Sequence, residues 1–277
     1  MSEVVKRYYD GQMEAEWARL AKPYRRFELA STLRLIDEHF PAPSRPSGGA
    51  RHVADIGGGP GRYTIELLRL GYRVTLCDLS PELVSFARRT LDELGLAADG
   101  VHCADARDLD GLETSGFDAA LHLGPMYHLI DDQARADALG ELHRILKPGA
   151  PAIVGFINPW GVLRAGLAEF PSFYADYVDA ASLLDTYVKA GEQAAFTESV
   201  FVTPPEAMQE LRRAGFAVAT RAGVEGFASG MQREVAELAE SAPETYANVL
   251  RLVAETCTRP EYRDCTEHLH VVVRCLK

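Results

Sequence analysis

DIGGGPGRYTIEL, residues 55–67, is the stretch that decides how this 277-residue chain is read. An apolar run, HVADIG (52–57), leads into Gly57, Gly58, Gly59 and Gly61, and GRYTIELLRLG (61–71) follows with helical spacing. Gly71 suits the C-terminal cap of that helix. A strand, a glycine turn and a helix start together bring a ligand against backbone N–H groups. A dinucleotide turn has the spacing GxGxxG, whose third glycine lets helix and strand approach under a pyrophosphate. Here Gly57 and Gly59 fill the first two places, and the third falls on Arg62. No Gly-Lys-Ser/Thr follows, which excludes a P-loop. The turn is preceded instead by Asp55, giving Asp-x-Gly-x-Gly-x-Gly.

Outward from this turn, strands and helices alternate. RVTLCDL (73–79) reads as a second strand, and the helix after it opens with Ser80 as N-cap and Pro81 at the first position. VHCADA (101–106), FDAALHLG (117–124) and APAIVGFIN (150–158) read as strands three to five. Between the last two, a helix from Asp131 to Lys147 places Ala138, Leu139, Leu142, Ile145 and Leu146 on one face. The pattern predicts an α/β fold with a parallel sheet covered on both faces. A helix over 203–216, started by Thr203, precedes two final strands, AVATRAGVEGF (217–227) and EHLHVVVRC (267–275), with a helical stretch between them. Residues 3–40 read as helix, with Trp17, Leu20, Tyr24 and Phe27 on one face and a turn started or bent at Pro23. PAPSRPSGGA (41–50) reads as a linker. Residues 158–203 show no clear strand and gather Trp160, Phe170, Phe173, Tyr174, Tyr177, Tyr187, Phe196 and Phe201.

Composition narrows the partners. A net charge of −11 argues against a broad nucleic-acid surface, which draws its affinity from clustered Lys and Arg. No apolar run approaches the ~18 residues a bilayer requires, and MSEVVKRYYDGQMEAEW lacks a signal-peptide core, so a cytoplasmic location is expected. The five cysteines show no metal-ligand spacing, and no metal site is expected. Cys77 and Cys103 fall in predicted buried strands.

Asp-x-Gly-x-Gly-x-Gly resembles the first motif of the class I, Rossmann-like S-adenosylmethionine-dependent methyltransferases, and the similarity continues in order. Asp78 ends strand two, Asp105 ends strand three in CADARDL, FDAALHLGPMYHL fits the fourth-strand motif, and ELHRILKPGA fits the turn into strand five. The resemblance covers residues 51–158 most strongly and is nearest to bacterial small-molecule members. It implies a mostly parallel seven-stranded sheet with helices on both faces and helical lid elements. It implies S-adenosylmethionine as cofactor and S-adenosylhomocysteine as product. Asp55, Gly57, Gly58, Gly59 and Gly61 would hold the donor, with Asp78 at the ribose hydroxyls, Asp105 beside the adenine, and Leu79 and Ala106 next to them in the cofactor set. Leu123, Gly124 and Tyr9 complete the implied cofactor set; Tyr9 lies in RYYDGQMEAEW, similar to an N-terminal element that folds over the site in bacterial members. The chain is thus divided into an N-terminal helical lid (1–40), a cofactor-binding core (51–158), an inserted helical substrate cap (159–203) and a C-terminal part of the core (204–277). Asn158 and Pro159 stand where many similar sequences carry Ser-Arg, so no acceptor is copied from a relative.

Methyl transfer from a sulfonium is an in-line displacement. Positioning can supply roughly 7–11 kcal/mol, against about 3–5 kcal/mol from a general base. Tyr127 and His128, after strand four, are the candidates on the acceptor side; a neutral His128 could take a proton from the acceptor. His122 lies within a strand and reads as structural; His268 and His270 share a face of the last strand, from which one could reach the pocket although a surface role is favoured. The segment 158–203 carries two basic residues, Arg164 and Lys189, against six acids, which disfavours an RNA-binding cap. The expected activity is methyl transfer to O, N or S of a small molecule. The alternative is a protein that keeps the cofactor without transferring methyl, as a scaffold or rearrangement catalyst; RNA and protein substrates are less favoured. The oligomeric state is not legible in the sequence.

Overall fold

A computed structural model describes residues 3–44, 48–189 and 197–277. Residues 45–47 of the expected linker and Phe196 of the aromatic group lie outside the described residues. The strands are β1 (His52–Ile56), β2 (Arg73–Asp78), β3 (Gly100–Cys103), β4 (Ala119–His122), β5 (Pro151–Ile157), β6 (Tyr187–Lys189), β7 (Ser199–Phe201), β8 (Phe216–Gly223) and β9 (His268–Cys275). The helices used below are α1 (Glu3–Asp10), α2 (Met13–Arg19), α3 (Arg26–His39), α4 (Arg62–Arg69), α5 (Pro81–Glu93), α6 (Pro125–His128) and α7 (Asp132–Ile145).

β3-β2-β1-β4-β5 run parallel. β9 then pairs antiparallel with β5 from Pro151↔Arg274 to Ile157↔His268, and β8 closes that edge antiparallel to β9. The seven expected strands therefore form a mostly parallel sheet whose winding reverses between β1 and β4, the crevice where such sheets bind ligands. β4 and β5 are buried along their whole length, because helices cover both faces. On one face Leu139, Leu142 and Ile145 of α7 meet Ala120 and Val154; on the other Leu35 and Ile36 of α3 and Leu67 of α4 meet Val53, Ile153 and Val272.

Three local expectations are corrected. The N-terminal stretch turns at residues 20–25, as read at Pro23, which lacks an N–H and restricts its predecessor, but it also breaks at Gly11–Gln12. The expected single face splits with it: Trp17 packs on Phe86, Leu20 joins Leu35 and Val53, and Tyr24 and Phe27 join Tyr246 and Val253. Residues 159–203 are not wholly helical: Tyr187–Lys189 pairs antiparallel with Ser199–Phe201, and Phe201 meets Ile157 at the end of β5. Each of these runs, YVK and SVF, is only three residues long, too short to show a period. Cys103 is exposed rather than buried, since β3 is the outer strand of its edge. Among the described residues no helix is long and apolar enough to cross a membrane.

Candidate donor and acceptor site

At the carboxyl ends of β1, β2 and β4 lies a cavity of about 1100 Å³, its open mouth included. Its floor is the glycine turn. Gly57 has φ +75°, and a Cβ there would lie 2.5 Å from Pro125 Cδ and 2.7 Å from the Leu123 carbonyl oxygen. Gly58 packs as closely: a Cβ would sit 2.8 Å from Leu76 Cγ and 2.9 Å from Asp55 Oδ2. Only glycine lets this backbone lie so low. Gly59 also lines the cavity, whereas Gly61 is the N-cap of α4, with φ +86°, and stays outside it.

Asp78 ends β2 at the cavity wall. Its Oδ2 accepts the Gly59 N–H at 2.8 Å and its Oδ1 accepts the Ser80 N–H at 2.9 Å, so the turn and the start of α5 aim the carboxylate. Burial pushes its pKa up to about 6 against those hydrogen bonds. Asp55 lies beneath the turn and outside the lining. Its Oδ2 accepts from the Thr64 hydroxyl at 2.7 Å, while Oδ1 is buried without a partner. Burial raises it too, to about 6. Leu79, Ala106, Leu123 and Gly124 line the cavity as expected. Asp105 does not: the Arg107 guanidinium folds back on it at 2.7 and 3.0 Å. Burial would raise Asp105, but those bonds outweigh it and hold the carboxyl well below the usual range.

The roof comes from α1 and α2. The Tyr9 hydroxyl is 2.7 Å from His128 Nε2, and His128 Nδ1 is 3.1 Å from the Glu198 carbonyl oxygen. A carbonyl only accepts, so Nδ1 carries the proton and Nε2 accepts from Tyr9. Burial pushes His128 down to about 4, which keeps it neutral. His128 thus lines the cavity with both nitrogens engaged, and beside it the Tyr127 phenol is raised by burial. Arg62, at the place of the missing third glycine, lies 3.5 Å from the Trp17 ring centroid and donates to the Trp17 carbonyl at 2.7 Å. Ser80 donates to Asp10 Oδ1.

The inner wall holds what sequence reasoning missed. Arg19 Nη1 meets Glu28 Oε2 at 2.6 Å; burial would raise Glu28, but Arg19 holds it well below the usual carboxylate range. The signal was present in α3, where polar Glu28, Ser31 and Thr32 precede Leu35 on one buried face. His268 and His270, expected at the surface, line the cavity instead, because β9 is an inner strand covered by α3. Behind them the Tyr24 and Ser229 hydroxyls each donate to Glu267 Oε2 at 2.7 Å. Among the described residues no His, Cys, Asp and Glu cluster could hold a metal.

Residues 53–149 match the family model described as a methyltransferase domain. The ubiquinone biosynthesis O-methyltransferase of Xylella fastidiosa (strain 9a5c) is 34% identical over 165 residues, 53% of this chain and 65% of that protein. The chain therefore spans just under two thirds of that curated relative. The tRNA 5-carboxymethoxyuridine methyltransferase of Escherichia coli (strain K12) is 24% identical over 224 residues, 80% of this chain and 79% of that one. The solved 1,6-didemethyltoxoflavin-N1-methyltransferase of Burkholderia thailandensis, with bound 1,6-didemethyltoxoflavin and S-adenosylhomocysteine, superposes with a TM-score of 0.58 at 19% identity, covering 99% of this chain and 88% of that one. Sheet order, glycine turn and matched region agree: residues 53–149 form a methyltransferase domain, and the chain has the Rossmann-like methyltransferase fold.

Proposed function

We propose that the protein moves the methyl group of S-adenosylmethionine to an oxygen, nitrogen or sulfur atom of a small cytoplasmic metabolite. The observation that carries this reading is the joining, in one roofed cavity, of a donor cradle and a polar inner wall. The residues present fit the donor. A Cβ at Gly57 or Gly58 would fill the cradle, and the fixed Asp78 carboxylate can accept both hydroxyls of a ribose. Leu79 and Ala106 would flank the adenine, and Leu123 and Gly124 would face the sulfonium. When bound, the donor supplies a methyl group on a good leaving group. What remains for the chain is alignment and exclusion of water. Tyr9, Trp17 and Asp10 hold α1 and α2 over the cavity as its lid. Residues 159–203 would cap the acceptor side from beside the Glu198–His128 contact.

Kinship with a tRNA methyltransferase favours a second reading, an RNA acceptor. Against it, the lining sets Lys6, Arg19 and Arg62 against Glu16, Glu28 and Asp78, a balance without the basic excess that RNA phosphates need. Methyl-labelled S-adenosylmethionine offered with a pooled metabolite extract, and separately with bulk tRNA, decides the matter. Label in a small molecule supports the proposal, and label in tRNA supports the second reading. Donor binding with label in neither would point to a protein that keeps the cofactor without methylating.

A further inference from the structure

His270 stands in the inner wall with its Nδ1 held against Thr32. The Thr32 hydroxyl has a single proton and donates it to the Glu28 carbonyl at 2.7 Å. Its oxygen lies 3.0 Å from His270 Nδ1 and must accept there, so Nδ1 carries the ring proton. Nε2 is then a bare lone pair. No described residue hydrogen-bonds to it, and it is not among the sealed, partnerless atoms, which include both nitrogens of His122. His270 is 3% exposed and lines the cavity opposite Gly155, whose missing Cβ leaves the ring room: that Cβ would sit 3.5 Å from Nε2.

We propose that His270, rather than His128, is the base that takes the acceptor's proton, an inference that rests on the methyl-transfer reading. His128 offers its lone pair to Tyr9, whereas His270 offers its own to the cavity. The charged and titratable groups acting on His270 are Glu28 from α3, Arg19 from α2, Glu225 after β8 and His268 on its own strand, while Tyr63 of α4 donates to Thr32, the partner of Nδ1. His268 Nδ1 is 2.5 Å from Glu225 Oε1; burial opposes its charge, but Glu225 outweighs burial and raises its pKa. His268, its Nδ1 held by Glu225, lines the same cavity two residues before His270 on the strand. Burial keeps His270 weakly basic, with a pKa of about 4. It therefore accepts a proton that becomes strongly acidic only as the new bond forms. In that step the acceptor atom bonds to the methyl carbon and the sulfur–carbon pair returns to sulfur. The acceptor's proton passes to His270 Nε2, then to water as product leaves.

Two measurements test this. In chain labelled with ¹⁵N-histidine and bound to S-adenosylhomocysteine, His270 should appear at neutral pH as the uncharged, Nδ1-protonated tautomer. A proton on Nε2 overturns the proposal whatever the activity. His270→Asn keeps an N–H for Thr32 and removes the lone pair. It should bind S-adenosylhomocysteine within about twofold of wild type, yet transfer label into the metabolite extract about 10²- to 10⁴-fold more slowly at neutral pH. The deficit should shrink as pH rises and the acceptor ionises unaided. An unchanged rate, or a deficit equal at every pH, refutes His270 as base. Wild-type chain that binds the product but transfers no label refutes the methyl-transfer reading and the base with it, a result the tautomer spectrum keeps separate. If His270→Asn fails to fold, His270→Gln is read the same way.

Discussion

Acid should loosen the protein's hold on its donor through a single carboxylate, Asp78. In the donor-free protein Asp78 titrates at about 6, raised by burial. A ribose diol donates two hydroxyl protons, so binding selects the ionised form, and protonation of the empty site competes with it. The affinity then falls by a factor of one plus the ratio of protonated to ionised Asp78. This is about twofold at pH 6 and about elevenfold at pH 5, or roughly 1.4 kcal/mol. The Gly59 and Ser80 N–H groups keep the carboxylate aimed over that range. Calorimetric titration of S-adenosylhomocysteine from pH 8 to pH 5 reads the slope. Asp78→Asn should bind about 1–3 kcal/mol more weakly at pH 7, for loss of charge-assisted hydrogen bonds, and should lose the slope. Ionisations of the ligand are common to both proteins and cancel in the comparison. Asp55 has the same raised pKa but does not reach the cavity, so Asp55→Asn should keep the slope. A wild-type affinity that stays flat to pH 5, or an Asp78→Asn variant that retains the slope, would refute the assignment.

Other perturbations reach the neighbouring parts. Asp55, raised from 3.8 to about 6, binds more protons folded than unfolded, so stability falls as pH rises through that window. Asp55→Asn should therefore gain about 1–3 kcal/mol in urea denaturation at pH 7 and little at pH 4; a loss at pH 7 would contradict a buried, half-partnered carboxylate. Gly57→Ala forces a Cβ to 2.5 Å from Pro125 Cδ at positive φ and should cost about 1–3 kcal/mol with donor binding weakened; an unchanged melting curve would show that the turn can shift. Arg62→Ala removes the cation–π contact and the hydrogen bonds to Trp17. Amide exchange in α2 should speed up by about tenfold, from ~0.5–2 kcal/mol of lost anchoring, while β1 and β4 stay protected.

The strands bounding the glycine turn were legible because each carries its own apolar run, and β1, β2, β4 and β5 fall within about two residues of where the sequence puts them. Ser80 and Asp131 cap their helices as read, with Ser80 Oγ accepting from the Leu83 N–H and Asp131 from the Ala134 N–H. What escaped depends on residues far apart in the chain. Nothing near His270 announces that Thr32, 238 positions away, will fix its proton, nor near Tyr24 that Glu267 lies across from it. Asp105 differs for the opposite reason: a partner only two residues on, Arg107, folds back on it. His128 was placed correctly in the cavity, but its engagement by Tyr9 follows from the dip of α1 toward α6, which no local pattern encodes.

The position of β9 has a consequence for how the molecule comes into being. It lies between β5 and β8 and pairs with both, yet follows both in the chain. While the polypeptide emerges from the ribosome, β5 and β8 must wait with open edges, their N–H and C=O rows unpaired, until β9 arrives. Exposed strand edges recruit other chains, so the vulnerable interval runs from the synthesis of β8 to the docking of β9. The inner wall of the cavity, with His268 and His270, takes shape in that same closing event. Nascent chains arrested before β9 should accordingly bind chaperones and be proteolysed, and should hold no acceptor pocket however well the glycine turn has already formed.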